Sequence, residues 1–184
     1  MDGTLTVAQH DFDAIRRELD LPPDQPILEA LAGLPETEAD ARMRKLDAIE
    51  LQIAATAQSQ EGVVELLERL QAKRVNTGIV TRNNLPSTLL TLTVCGLTDF
   101  FTDKDIVSRG CALPKPNPDG VFTLLNRWQG LTDHTVMVGD YLFDMQCGRQ
   151  AGVTTVYFDP DSENRWNQYA DIVVGSLKEL SGYL

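Results

Sequence analysis

Basic residues are scarce in this chain. Its 184 residues include 16 Lys and Arg against 27 Asp and Glu, a formal net charge of -11. That balance repels phosphate backbones and argues against non-specific nucleic-acid binding or a polybasic membrane contact. A small anionic ligand stays possible, because one lysine or a metal reverses the sign inside a single pocket. Cysteine is scarcer still: Cys95, Cys111 and Cys147 are widely spaced and form no CxxC pair. An odd count with no signal pattern at the N-terminus reads as reduced thiols, not a disulfide framework. His10 and His134 are too few for a His-rich metal site. No apolar run approaches the ~20 residues of a membrane-spanning helix, and there is no internal repeat or low-complexity stretch. What is left, 42% hydrophobic and 23% charged, describes a globular chain long enough to bury a core. The expectation is a soluble cytoplasmic protein with one domain, or one domain carrying a small insert.

From about His10 to Ala57 the pattern is helical. Phe12, Ile15 and Leu19 share one face, as do Met43, Leu46, Ile49 and Ile53, and Pro22-Pro23, Pro26 and Gly33-Leu34-Pro35 punctuate the stretch. This predicts a helical insert over residues 9–58. After about Gln60 short apolar runs alternate with helical ones. Strands are expected at Thr77–Val80, Phe100–Phe101, Ile106–Val107, Thr135–Val138, Thr154–Phe158 and Ile172–Val174. Helices are expected around Val63–Leu70, Pro86–Thr93, Pro118–Trp128 and Leu142–Ala151. Such alternation indicates an α/β core, a doubly wound parallel sheet of Rossmann-like kind, made of residues 1–8 and 59–184, with ligands at the carboxyl ends of the strands.

At those ends stand Asp2-Gly3-Thr4, Thr81-Arg82-Asn83 after Val80, Lys115-Pro116 before a helix, and Gly139-Asp140 after Val138, with Asp144 four residues on. Carboxylates without His or Cys suit a hard cation such as Mg²⁺. A hydroxyl and an ammonium beside it make a phosphoryl clamp. Spacing and chemistry together point to metal-assisted phosphoryl transfer.

These four motifs, in this order, resemble those of the haloacid dehalogenase superfamily, and within it the phosphoglycolate-phosphatase-like members with a helical cap inserted after the first motif. The resemblance runs over nearly the whole chain. It implies that Asp2 is the general acid that protonates the leaving oxygen and later activates water, with its main-chain carbonyl on Mg²⁺. It implies that Thr81 orients the transferring phosphoryl group and that Lys115 balances the charge of nucleophile and phosphate. Asp140 is then a metal ligand and Asp144 a second acid supporting the metal, while Gly3, Arg82 and Asn83 border the substrate. The family's nucleophile is the first Asp of Asp-x-Asp-Gly-Thr. Met1 occupies the x position, so the nucleophile is expected just before Met1, on a buried central strand of a longer native chain, and the chain as given is expected to be inactive.

The insert is acidic: between His10 and Glu50 lie eleven acids and five bases, read as solvation of outer helix faces. His10 and His134 read as surface residues, Cys147 as core, and Trp128 and Trp166 as packing anchors. Asp140 reads as doubling as the cap of the following helix. Arg82 is suited to a substrate carboxylate. The expected activity is hydrolysis of a small phosphorylated metabolite through an aspartyl-phosphate. The alternatives are an inactive binding protein that keeps a weak Mg²⁺ or phosphate site, and a phosphomutase.

Overall fold

A computed structural model describes residues 1–183 of the chain. Its helices are α1 (Phe12–Glu18), α2 (Ile27–Ala32), α3 (Glu36–Ala54), α4 (Val63–Ala72), α5 (Leu85–Val94), α6 (Asp119–Trp128), α7 (Leu142–Ala151) and α8 (Leu177–Gly182). Its strands are β1 (Ile79–Val80), β2 (Ile106–Val107), β3 (Val136–Gly139), β4 (Thr154–Phe158) and β5 (Ile172–Val174). All strand pairs are parallel. Ile79 lies opposite Ile106, Val136 opposite Thr154, and Val156 opposite Ile172. The expected parallel α/β architecture is therefore present, but the strands form two sheets, β1-β2 and β3-β4-β5, where the sequence suggested one. Among the described residues β1 and β3 each keep one edge without a strand partner.

Helix signals in the sequence translate directly. The Asn84 side chain accepts the amide of Ser87 at 2.8 Å and Pro86 sits in the first turn of α5. Val63, Leu66 and Leu67 turn one face of α4 into the main core, where they meet Ile79, Ile106, Val156 and Phe158. A second core under α6 and α7 holds Val121, Leu125, Cys147 and Val153. Phe100 and Phe101 are not a strand. The Phe100 amide closes on the Leu97 carbonyl in a 3₁₀ turn, and both rings pack on the main core, so their apolarity reports burial and not strand pairing. Helix α8 was not anticipated; Ser176 caps it and Leu177 and Leu180 seal the core.

α7 crosses its sheet at Gly148. A Cβ there would lie 2.6 Å from Thr155 Cγ2 and 3.0 Å from Met137 Cβ. Gly148→Ala is expected to destabilise the protein, with about 1–3 kcal/mol of overpacking only partly offset by about 1 kcal/mol of helix propensity. A urea unfolding midpoint equal to or above wild type would contradict this.

The helical insert leaves and rejoins the core through a narrow neck. Val7 donates to the Gln58 carbonyl and Gln60 to that of Leu5, each at 2.9 Å. Between these points α1, α2 and α3 bury their own cluster of Ile15, Leu19, Leu21, Ala30, Leu31 and Leu46, and α3 packs along α5. No helix among the described residues is long and apolar enough to cross a membrane.

Candidate active site

The carboxyl ends of β1 and β3 carry Thr81 and Asp140, and the chain's first residues fold across them. The Met1 carbonyl accepts the amides of Thr4, Leu5 and Thr6 at 3.2, 2.8 and 3.2 Å, a tight turn for which Gly3 takes φ +75°. Thr4 Oγ1 donates to Asp140 Oδ1 at 2.8 Å. A Cβ on Gly3 would stand 2.1 Å from Asp140 Oδ2, so only glycine lets that carboxylate lie over the turn. Gly3→Ala is expected to displace Asp140 and lower thermal stability, through both left-handed strain and the clash. Unchanged melting and unchanged inorganic phosphate affinity would contradict the assigned packing.

Asn83 Nδ2 donates to Asp2 Oδ2 at 2.8 Å, while the Asn83 amide donates to Thr81 Oγ1 at 3.1 Å. Thr81 thus shapes the turn after β1, and the cap of α5 is Asn84. Lys115 follows the 106–107 strand through a loop held from α7: Cys147 Sγ donates to the Asn117 carbonyl and Gln150 Nε2 to that of Pro116. The loop aims Lys115 Nζ at Asp144 Oδ1, 2.6 Å away, and both side chains are buried. Asp144 Oδ2 also accepts the Tyr141 amide at 3.2 Å. The cap of α7 is therefore Tyr141 with Asp144 reaching back from its first turn, not Asp140 as the sequence suggested.

Electrostatics here are those of a crowded acidic site. Burial pushes the Asp140 carboxyl up, the nearby Asp144 charge pushes it further, and the Met1 ammonium, the Thr4 hydroxyl and Lys115 offset this only in part. Burial alone would lower Lys115, but the charge and hydrogen bond of Asp144 together with Asp140 outweigh it and keep the ammonium above its ordinary range. Burial pushes the Cys147 thiol up to about 11, which removes it as a nucleophile and fits its core position.

Asp2, Asp140 and Asp144, the expected metal residues, each hold a different partner: Asn83, Thr4 and Lys115. Among the described residues no three His, Cys, Asp or Glu side chains form a ligand group. Asp140 nonetheless fits a hard cation. It is an oxygen donor whose negative charge is opposed by burial and by a neighbouring acid, the condition a bound cation relieves.

A cavity of about 390 Å³ lies between this rim and the insert. Asp2, Thr81, Lys115 and Asp140 form its floor, and Phe12, Ile15, Ile27 and Leu28 its roof. His10, expected at the surface, lines it and stacks on Phe12 with ring centroids 5.5 Å apart. The insert's acids do more than solvate outer faces. Arg109, just after β2, pairs with Glu50 at 2.8 Å and Asp47 at 2.5 Å, both on α3. Asn84 Nδ2 donates to Asp47 at 2.8 Å. Arg82, expected to face substrate, lines the cavity but holds Glu29 in the first turn of α2 with two hydrogen bonds of 2.9 and 2.5 Å. Sequence reasoning missed Glu29, Asp47, Glu50 and Arg109. One signal was available: Glu50 sits on the buried stripe of Leu46, Ile49 and Ile53, where an acid needs a partner.

The chain is similar in sequence to several named phosphatases and in fold to solved hydrolases. The chain is 27% identical over 201 residues to validoxylamine A 7'-phosphate phosphatase of Streptomyces hygroscopicus subsp. limoneus, covering 98% of this chain and 92% of that one. It is 32% identical over 123 residues to pyrophosphatase PpaX of Halalkalibacterium halodurans, covering 65% and 57% of the two chains. The solved structure of a hydrolase from Pseudomonas syringae has the same fold, with a TM-score of 0.79 at 20% identity over 99% of this chain and 93% of that one. Residues 9–158 match the haloacid dehalogenase-like hydrolase family, and with two parallel sheets presenting Thr81 and Asp140 at one rim, this chain belongs to that family.

Proposed function

We propose that the protein is a Mg²⁺-dependent phosphomonoester hydrolase acting on a small phosphorylated metabolite in the cytoplasm, with residues 9–58 as its cap. The observation that carries this reading is the meeting of Asp2, Thr81, Lys115 and Asp140 on one rim under that cap. The phosphatase names of the relatives agree with it.

In this reading the attacking carboxylate belongs to the residue directly before Met1, on a strand between β1 and β3. The free edges of those two strands, whose ends carry Thr81 and Asp140, support that placement. The carboxylate oxygen attacks phosphorus, the bond to the leaving alcohol breaks, and Asp2 gives its proton to the departing oxygen. Asn83 occupies Asp2 Oδ2, which leaves Oδ1 to carry that proton. Asp2 then takes a proton from the water that attacks the aspartyl-phosphate, and inorganic phosphate leaves. Thr81 orients the phosphoryl oxygens, and Lys115 spreads positive charge over them. Asp140 and the main-chain carbonyl of Asp2, with Asp144 supporting them, would hold Mg²⁺, which would offset the charge of nucleophile and phosphate.

The test compares leaving groups in protein that carries the upstream segment. Asp2→Asn is expected to lower kcat/KM for an alkyl phosphate, which reports formation of the aspartyl-phosphate and not its hydrolysis, by about 10²–10⁴-fold, the range of general acid catalysis, and to lower it far less for p-nitrophenyl phosphate, whose leaving group needs no proton. Equal losses on both substrates would remove Asp2 as the acid.

A further inference from the structure

The guanidinium of Arg82 is fixed from the core side. It donates to the Lys115 carbonyl and lies 4.9 Å above the centre of the Phe143 ring. Its remaining donor edge faces the insert, where it grips both oxygens of Glu29 in the planar fork that guanidinium makes with carboxylate. The two partners are unequal. The Arg82 side chain is 20% exposed, that of Glu29 44%. Glu29 can therefore swing into water at little cost, whereas Arg82 stays in place beside Thr81 and Lys115. Some burial opposes ionisation of Glu29, but the hydrogen bond and charge of Arg82 outweigh it, so the carboxyl stays below its usual range and charged at neutral pH.

We propose that Arg82 is the specificity residue for a second anionic group on the substrate, and that Glu29 is a built-in carboxylate that occupies this position until the substrate's own carboxylate or second phosphate displaces it. This rests on the phosphatase reading above and names its substrate class: a phosphomonoester whose alcohol portion bears another anion, small enough for a cavity of about 390 Å³. Displacing Glu29 also releases α2 from the core, so anion binding at Arg82 is coupled to the position of the cavity roof.

The test measures binding, which does not require turnover. Affinities of inorganic phosphate, ethyl phosphate and phosphoglycolate are determined by calorimetry with Mg²⁺ for wild type, Glu29→Gln, Arg82→Lys and the charge control Asp24→Asn. Asp24 is an exposed acid on the cavity wall with no ion pair among the described residues. Phosphoglycolate is expected to bind wild type about fivefold tighter than ethyl phosphate, a modest margin because the new ion pair replaces an existing one. Glu29→Gln is expected to widen that ratio by a further factor of about five, since the competing carboxylate is gone. Asp24→Asn should leave the ratio within about twofold of wild type, the scale of exposed-charge effects. Arg82→Lys should collapse it, because an ammonium lacks the fork.

A ratio that Glu29→Gln does not widen, or that Asp24→Asn widens equally, overturns the proposal and leaves the pair as a cap contact. Loss of inorganic phosphate binding in wild type is a different failure: it overturns the phosphatase reading and the proposal with it.

Discussion

Replacing Arg109 with alanine is expected to cost about 3–5 kcal/mol at pH 8, the loss that follows when one partner of a buried ion pair is removed. Glu50 is 6% exposed, and Arg109 binds its two oxygens at 2.8 and 2.9 Å. Among the described residues the one other donor to Glu50 is the Asn84 amide, a long contact of 3.4 Å. Without the guanidinium, a carboxylate stays buried with Asp47 close by. Such a loss is a large share of the roughly 5–15 kcal/mol that holds a domain folded.

The pH dependence has a definite sign. Burial already pushes the Glu50 carboxyl above the ordinary value of 4.5, against the opposing pull of Arg109. Its folded form therefore binds a proton at pH values where the unfolded form has released it. Stability contributed by this group falls as pH rises from about 4.5 through the raised folded value. Removing Arg109 raises that value further, so Arg109→Ala should be more damaging at pH 8 than at pH 5. The double variant Arg109→Met with Glu50→Leu should recover most of the loss, as apolar replacements of buried pairs do. A penalty below about 1 kcal/mol, equal at both pH values, would mean that Glu50 reaches water and does not anchor α3.

Lys115→Met should damage both folding and chemistry. Nζ is 2.6 Å from Asp144, and without it the buried Asp144 and the half-buried Asp140 beside it lose the cation that offsets their charge. A stability loss of about 3–5 kcal/mol is expected, measured as a lower urea midpoint in metal-free buffer. The loss of the cation also removes about 10²-fold or more from turnover in protein carrying the upstream segment, by analogy with deleting one donor from an oxyanion site. Adding Asp144→Asn tests the structural part, because it removes the unpaired charge and should restore much of the stability. A double variant no more stable than Lys115→Met would contradict the pairing as the source of the loss.

These residues differ in how far they could be read from sequence. Thr81 and Asp140 were legible because each directly follows a short apolar strand, and in parallel sheets such positions share one rim. Lys115 was legible through motif order alone. Its local surroundings, Pro114 and Pro116, say only that the chain turns, and its aim depends on α7 holding the loop. The ion pairs between insert and core were not legible. Arg82 reaches Glu29 across 53 residues and Arg109 reaches Glu50 across 59; the apolar stripe of α3 marks Glu50 as inward-facing, but nothing local names its partner or singles out Glu29. Composition assigned most of the insert's charges to solvent and did not say which were the exceptions. Phe100 and Phe101 misled in another way: two adjacent aromatics satisfy strand propensity and core packing equally, and tertiary context chose packing.

The most direct test of the account is mass spectrometry of the protein purified from its own cells, reacted with a phosphomonoester and quenched with acid. The proposed aspartyl-phosphate mechanism predicts an N-terminal peptide in which an Asp immediately precedes Met1 and carries the trapped phosphoryl group, with Asp2 unmodified. A peptide with any other residue at that position, or active protein whose first residue is Met1, would contradict it.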